Sequence, residues 1–292
     1  MNKLLILSSL LVLFQSCGQV TPSPKEKVVP TDTTHKLSIQ TANPSGNNIK
    51  DRFKTPTGFH RIQVDSSSFT SYLRNLPLKP QGSLVSYYNG ETKPNNTIYE
   101  AVVDLPIGKR DLHQCADAVM RLRADYLFQN KKYDSIYFNF TNGFKADYAN
   151  WRAGKRISVK GNKVTWIQST QPSDSSKDFW KYLEMVFSYA GTASLEKEMK
   201  SVSLEEMRIG DVFIKGGFPG HAVIVVDMAI NKTTNEKIFL LAQSYMPAQE
   251  LQILKNPNNK DLSPWYGVSE ISNKLRTPEW TFKNSALKRF AN

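Results

Sequence analysis

GDVFIKGGFPGHAVIVVD, residues 210–227, places two apolar runs on either side of a turn that contains three glycines and a proline. The runs VFI and AVIVV are rich in β-branched residues, which is typical of buried strands. FLLAQSY, residues 239–245, is a further apolar run, and MAINKTTNEK joins it to the first stretch. We therefore predict an antiparallel hairpin in which His221 begins one strand and Gln243 lies beside it on the next.

A helix is predicted about one hundred residues earlier, in DLHQCADAVMRLRADYLFQN (residues 111–130). Asp111 and Gln114 have the spacing of a capping box, which predicts a helix start at Asp111. The apolar residues that follow recur at helical spacing, and Cys115 falls in the first turns. His113 lies two residues before Cys115, so on a helix it points elsewhere and is expected to be exposed.

Cys115, His221 and Gln243 together have the residue types of a thiol-based catalytic site. A helix N-terminus favours the thiolate, an adjacent imidazole holds the proton, and a polar side chain orients the imidazole. Asp227, at the end of the His221 strand, competes with Gln243 for the orienting role. The alternative interpretation is that Cys115 is a packed core residue and that the histidine and the glutamine are structural.

The order QCADAV, GDVFI, GHAVIVVD, FLLAQSY resembles the NlpC-type branch of papain-like cysteine peptidases. This resemblance implies an α+β fold with a papain-like core, in which a central helix packs on an antiparallel β-sheet. It also implies that Cys115 is the nucleophile, His221 the base and Gln243 the orienting residue. Around the cysteine, Gln114-Cys115-Ala116-Asp117 departs from the usual Asp-Cys-Ser-Gly pattern of those enzymes.

A second resemblance covers most of residues 50–292. The stretches WRAGKR, FSYAGTASLEKE, GGFPGHAVIVVD, LLAQSYMPAQE and SPWY resemble a family of uncharacterised lipoproteins from Bacteroidota, whose function is undetermined.

The N-terminus has the pattern of a lipoprotein signal. MNKLLILSSLLVLFQSC, residues 1–17, contains a lysine, an apolar segment and a final cysteine, Cys17, which resembles the acylated cysteine of a lipobox. Residues 18–48 are rich in Pro, Ser, Thr and Asn and are expected to form a disordered tether. We predict one domain over residues 49–292, with an N-terminal subdomain at 49–105 and a core at 106–292.

Composition limits the remaining possibilities. The formal net charge of +12 comes from scattered lysines and arginines, which favours a solvated basic surface over a nucleic-acid site. After Cys17 only Cys115 remains, so the mature chain has no internal disulfide, and no metal site or cofactor is expected.

We therefore expect a lipid-anchored cysteine hydrolase of the bacterial cell envelope, placed at the outer membrane. It would cleave or transfer an amide bond in peptidoglycan stem peptides through a Cys115 thioester. The expected partners are the membrane, through the N-terminal lipid, and a peptidoglycan peptide or other anionic envelope polymer. The alternative is a non-catalytic envelope lipoprotein that uses the same cleft to bind a muropeptide, a glycan or a protein.

Overall fold

The computed structural model describes residues 43–291. Cys17, the signal segment and residues 18–42 of the predicted tether lie outside the described residues. Residues 43–48, also assigned to the tether, pack on the domain. The carbonyl of Gly46 accepts a hydrogen bond from Arg52 Nε at 2.7 Å, and that of Asn47 accepts one from the Leu78 N–H at 2.8 Å. The folded domain therefore begins several residues before the predicted boundary.

Within residues 43–291 the α-helices are α1 (Ile49–Arg52), α2 (Phe69–Arg74), α3 (Cys115–Gln129), α4 (Tyr148–Arg152), α5 (Ser176–Tyr189) and α6 (Thr192–Glu198). The strands are β1 (Phe59–Arg61), β2 (Tyr99–Val102), β3 (Tyr137–Asn139), β4 (Lys145–Asp147), β5 (Lys155–Lys160), β6 (Lys163–Gln168), β7 (Lys200–Ser201), β8 (Val212–Lys215), β9 (His221–Asn231), β10 (Lys237–Gln243), β11 (Gln252–Leu254), β12 (Tyr266–Gly267), β13 (Lys274–Arg276), β14 (Thr281–Lys283) and β15 (Leu287–Arg289).

A nine-stranded antiparallel sheet is the centre of the fold. Its main order is β2-β11-β10-β9-β8-β15-β7, with β1 paired to β9 and β12 paired to β10. The predicted α+β class with an antiparallel sheet is confirmed. β1 and β2 belong to the predicted N-terminal subdomain, yet both pair with strands of this sheet, so the described residues form one sheet across residue 105.

The predicted hairpin is formed by β9 and β10, and it contains a β-bulge. Leu240 pairs with Asp227 but Leu241 pairs with Val225, so Val226 is an extra residue on β9. Because strand residues alternate between faces, one extra residue reverses which side chains face together. The bulge thereby places Gln243 on the same face as His221.

Helix α3 packs against β9, and this packing fixes the position of Cys115, the first residue of the helix. Met120 and Leu122 are fully buried, and Val119 is nearly so. Burial of each such side chain contributes about 1.5–3 kcal/mol, so the packing holds α3 against the sheet. Among the described residues, none of the helices is both long and apolar enough to cross a bilayer.

Candidate active site

Helix α3 begins at Cys115, four residues after the predicted start at Asp111. The Gln114 N–H donates to Asp117 Oδ2 at 2.9 Å, so the capping interaction links Gln114 with Asp117. The Asp111 carboxylate accepts from the Gln114 side-chain amide at 3.1 Å and from the Ala248 N–H at 2.7 Å, so it also contacts a distant segment. Cys115 is consequently the first helical residue, next to the unpaired N–H groups of the helix start.

The prediction that His113 is exposed is wrong. Its side chain is fully buried, and its ring lies edge-on to Phe187 with centroids 6.2 Å apart. The residue precedes the helix in a left-handed backbone conformation, with φ of 73°, so helical geometry does not describe where its ring points. Burial, reinforced by the charge of Arg121, lowers the pKa of His113 to about 3.

His221 is held at the start of β9 by the turn at residues 216–220. Gly217 has φ of +109°, which only glycine adopts without strain. A Cβ on Gly220 would lie 2.4 Å from both the Gly217 carbonyl and Thr192 Oγ1, so the turn packs closely against the start of α6. These contacts fix the point at which the chain enters β9, and hence the imidazole.

The predicted contact between His221 and Gln243 is confirmed. His221 Nε2 and Gln243 Oε1 are 2.9 Å apart, and both side chains are almost fully buried. This bond leaves Nδ1 as the ring nitrogen that can face the thiol. The rings of Tyr245 and Trp280 lie 4.7 and 5.4 Å from the imidazole, centroid to centroid.

Asp227, the alternative orienting residue, instead forms ion pairs with Arg61 and Arg74. Its carboxylate accepts from Arg61 Nε at 2.7 Å and from Arg74 Nε at 2.6 Å, and also from the Met228 N–H at 2.8 Å. Asp227 is fully buried inside β9, six residues along the strand from His221, so its oxygens are occupied away from the imidazole.

Cys115 and His221 line the same cleft, which has a volume of about 310 Å³. Its other lining residues are mostly small or apolar: Gln114, Ala116, Asp117, Phe187, Ala190, Gly191, Thr192, Gly217, Phe218, Pro219, Gly220, Tyr245, Met246 and Trp280. Two large apolar side chains at this cleft are exposed to solvent, Phe218 at 94% and Met246 at 51%.

The thiol and the imidazole are both neutral at neutral pH. Burial, with the Asp117 carboxyl as the next cause, raises the pKa of Cys115 to about 11, against the opposing effect of the Ala116 and Ala222 N–H groups. Burial lowers the pKa of His221 to about 4, and the charge of Lys93 acts in the same direction while the Gln243 bond opposes it. The cleft therefore holds a protonated thiol and an unprotonated imidazole.

A second layer of polar side chains lies behind Gln243. Gln243 Nε2 donates to Glu279 Oε2 at 2.6 Å, and Lys93 Nζ donates to both Glu279 oxygens at 2.8 and 2.9 Å. Lys93 also donates to Gln249 Oε1 at 2.9 Å. Sequence reasoning missed Glu279 and Lys93 because both lie in connecting segments, 186 positions apart, and no motif links them.

Across residues 43–291, no three His, Cys, Asp or Glu side chains are grouped so as to hold a metal ion. What the arrangement offers is nucleophilic chemistry with a thiol, an imidazole and an amide.

Comparison with known proteins identifies a family. No curated protein and no solved structure matches the chain. A family model, described as domain of unknown function (4846), matches residues 49–289 and so covers most of the sequence. The chain therefore belongs to the DUF4846 family.

Proposed function

We propose that this protein is a cysteine hydrolase or acyltransferase that acts on an amide bond through a thioester at Cys115. The observation that carries the proposal is the shared cleft: a thiol at the first residue of a helix and an imidazole whose far nitrogen is bonded to Gln243. The order of helix, histidine strand and glutamine strand supports a papain-like core of the NlpC type.

The proposed reaction begins from the neutral pair. As substrate binds, His221 Nδ1 takes the thiol proton while Sγ attacks the carbonyl carbon, and the oxygen becomes an oxyanion. The N–H of Cys115, at the start of α3, is the donor proposed for that oxygen. The intermediate expels the amine, which receives the proton from His221. His221 then takes a proton from water or another nucleophile, which attacks the thioester carbon; the C–S bond breaks, the acyl product leaves, and His221 returns the proton to the Cys115 sulfur.

The cleft limits the substrate group that lies beside the thiol. No lysine or arginine is among its lining residues, and its one carboxyl, Asp117, has a pKa that burial raises to about 7. Phe218 and Met246 leave apolar surface open to a ligand. An uncharged or apolar group is therefore proposed next to the scissile bond, so any carboxylates of the substrate would bind outside the cleft.

A peptidoglycan stem peptide at the outer membrane is the proposed substrate and location. The lipobox-like N-terminus and the resemblance to cell-wall hydrolases support it.

One observation favours the second candidate, a lipoprotein that binds a muropeptide, glycan or protein without turnover. Cys115 is only 8% exposed and its pKa is about 11, which describes a thiol with little intrinsic reactivity.

The test is to incubate the purified full-length protein with peptidoglycan fragments and with a generic acyl ester, and to follow the mass of the protein. We expect an acyl adduct on Cys115 that is absent in Cys115→Ala and in His221→Ala. The matched control is His60→Ala, because His60 is exposed on β1 and far along the chain from the cleft residues. Binding of fragments with no Cys115 adduct and no cleavage would favour the second candidate.

A further inference from the structure

We propose that Glu279 is a positioning residue that fixes the tautomer of His221 through the side-chain amide of Gln243. The inference rests on the proposed function for its consequence in catalysis, but the tautomer itself is a property of the folded protein.

Glu279 forms an ion pair with Lys93. Lys93 is 5% exposed and donates to both carboxylate oxygens of Glu279. A carboxylate in such an ion pair only accepts hydrogen bonds. The group of Gln243 that meets Glu279 Oε2 at 2.6 Å must therefore be the NH2 end of the amide.

The orientation of the amide decides the state of the imidazole. With its nitrogen committed to Glu279, Gln243 presents Oε1 to His221 Nε2 at 2.9 Å. An amide oxygen only accepts, so Nε2 carries the hydrogen. A neutral imidazole has one N–H, which leaves a lone pair on Nδ1, the nitrogen that the proposed mechanism needs as the base.

Glutamine alone would not impose this state. Its two ends are similar in size, and a reversed amide would offer a donor to Nε2 and so favour the hydrogen on Nδ1. That imidazole could not take the proton of the thiol. Glu279 removes the reversed arrangement, because turning the amide would set Gln243 Oε1 against a carboxylate oxygen.

The three residues come from separate parts of the fold. Gln243 ends β10, Glu279 lies in the turn between β13 and β14, and Lys93 precedes β2. The turn is closed by hydrogen bonds between Thr277 and Trp280, including Thr277 N–H to the Trp280 carbonyl at 2.8 Å. The same turn thus brings Glu279 to the amide and Trp280 to the cleft.

The experiment compares Glu279→Gln with Glu279→Asp in the full-length protein labelled with 15N. Long-range proton–nitrogen spectra at pH 7 report which ring nitrogen of each histidine is protonated, and His221→Ala identifies the His221 signals. In the wild type we expect the hydrogen on Nε2. Glu279→Gln can donate to Gln243 Oε1 and release the amide, so the Nδ1–H form should appear, whereas Glu279→Asp keeps an acceptor and should retain the wild-type form.

The second reading is the rate at which Cys115 is acylated. We expect a loss of about 10²–10⁴-fold in Glu279→Gln and a much smaller loss in Glu279→Asp, since only the first creates the wrong tautomer. If Glu279→Gln does not fold, the double variant Lys93→Met with Glu279→Gln is used in its place, because it removes both charges of the ion pair together.

Two results would overturn the inference: a wild type with the hydrogen on Nδ1, or a Glu279→Gln variant that keeps Nε2–H as fully as the wild type. A tautomer shift in a protein whose Cys115 is never acylated would support the role of Glu279 and contradict the proposed function. The two proposals are therefore tested separately.

Discussion

Acidification should destabilise this protein through His113, the buried histidine next to the candidate site. The ring is fully buried and, among the described residues, neither ring nitrogen makes a hydrogen bond of normal geometry, although the nearby backbone of Gln249 and of His113 itself acts to raise the pKa. Its pKa falls from an ordinary value of 6.5 to about 3, first because of burial and second because of the charge of Arg121.

The sign of the effect follows from this lowered pKa. Below about pH 6.5 the unfolded chain binds a proton on His113, whereas the folded chain does not until about pH 3. The free energy of unfolding therefore falls as the pH falls through that window. At pH 5 the separation from 6.5 is about 1.5 units, and at about 1.4 kcal/mol a unit the loss is about 2 kcal/mol.

Urea unfolding of the wild type, His113→Asn and His60→Asn at pH 7 and pH 5 measures this loss. Asparagine tolerates the positive φ at position 113 and does not titrate in this range. We expect the loss between pH 7 and pH 5 to be about 2 kcal/mol smaller in His113→Asn than in the wild type. His60→Asn, which changes an exposed residue, should behave as the wild type does. An equal loss in His113→Asn and the wild type would refute the reasoning.

Three further predictions concern the cleft and the sheet. The raised pKa of Cys115 should make its alkylation by iodoacetamide at pH 7 about 100-fold slower than that of an ordinary thiol. The rate, measured from the mass of the intact protein, should increase about tenfold per pH unit up to about pH 11. Gly220→Ala should lower the free energy of unfolding by about 1–3 kcal/mol in denaturant titrations, because its Cβ meets two oxygens at 2.4 Å; unchanged stability would show that the turn relaxes freely. Arg74→Met should lower the free energy of unfolding by about 3–5 kcal/mol in the same titration, because it leaves the buried Asp227 carboxylate with one partner fewer. It should not slow the acylation of Cys115 in the folded fraction, whereas Gln243→Ala should slow it.

The central hairpin was predictable because its signals are local. The apolar runs of β9 and β10 and the polar connection between them define two neighbouring strands, and Gln243 then meets His221. The bulge at Val226, which sets the shared face, has no comparable signal, because β9 is apolar on both sides of that residue.

The start of α3 shows why the neighbourhood of Cys115 was harder to predict. Two overlapping pairs have capping-box spacing, Asp111 with Gln114 and Gln114 with Asp117. In the structure the Gln114 N–H donates to Asp117, while Asp111 accepts from the Gln114 side chain and from the Ala248 N–H, which belongs to a segment more than one hundred residues away. Spacing alone does not distinguish the two pairs. The ion pair of Lys93 and Glu279 joins residues still farther apart in the sequence, so neither secondary-structure propensity nor hydrophobic periodicity predicts it.

The buried Asp227 has a consequence for how the strands find their alignment. From Ala222 to Val226, β9 is apolar at every position and is buried on both faces, so neither face has a preference for the core or for water. Such a strand gains nearly as much from hydrophobic burial when it slides by one residue, although a slide would turn His221 away from its partners. A carboxylate that must meet Arg61 and Arg74 has no such tolerance, because a displaced charge would be buried alone. The ion pairs of Asp227 thus fix the register of β9, because they select one pairing of the strands from several that the apolar side chains alone would allow.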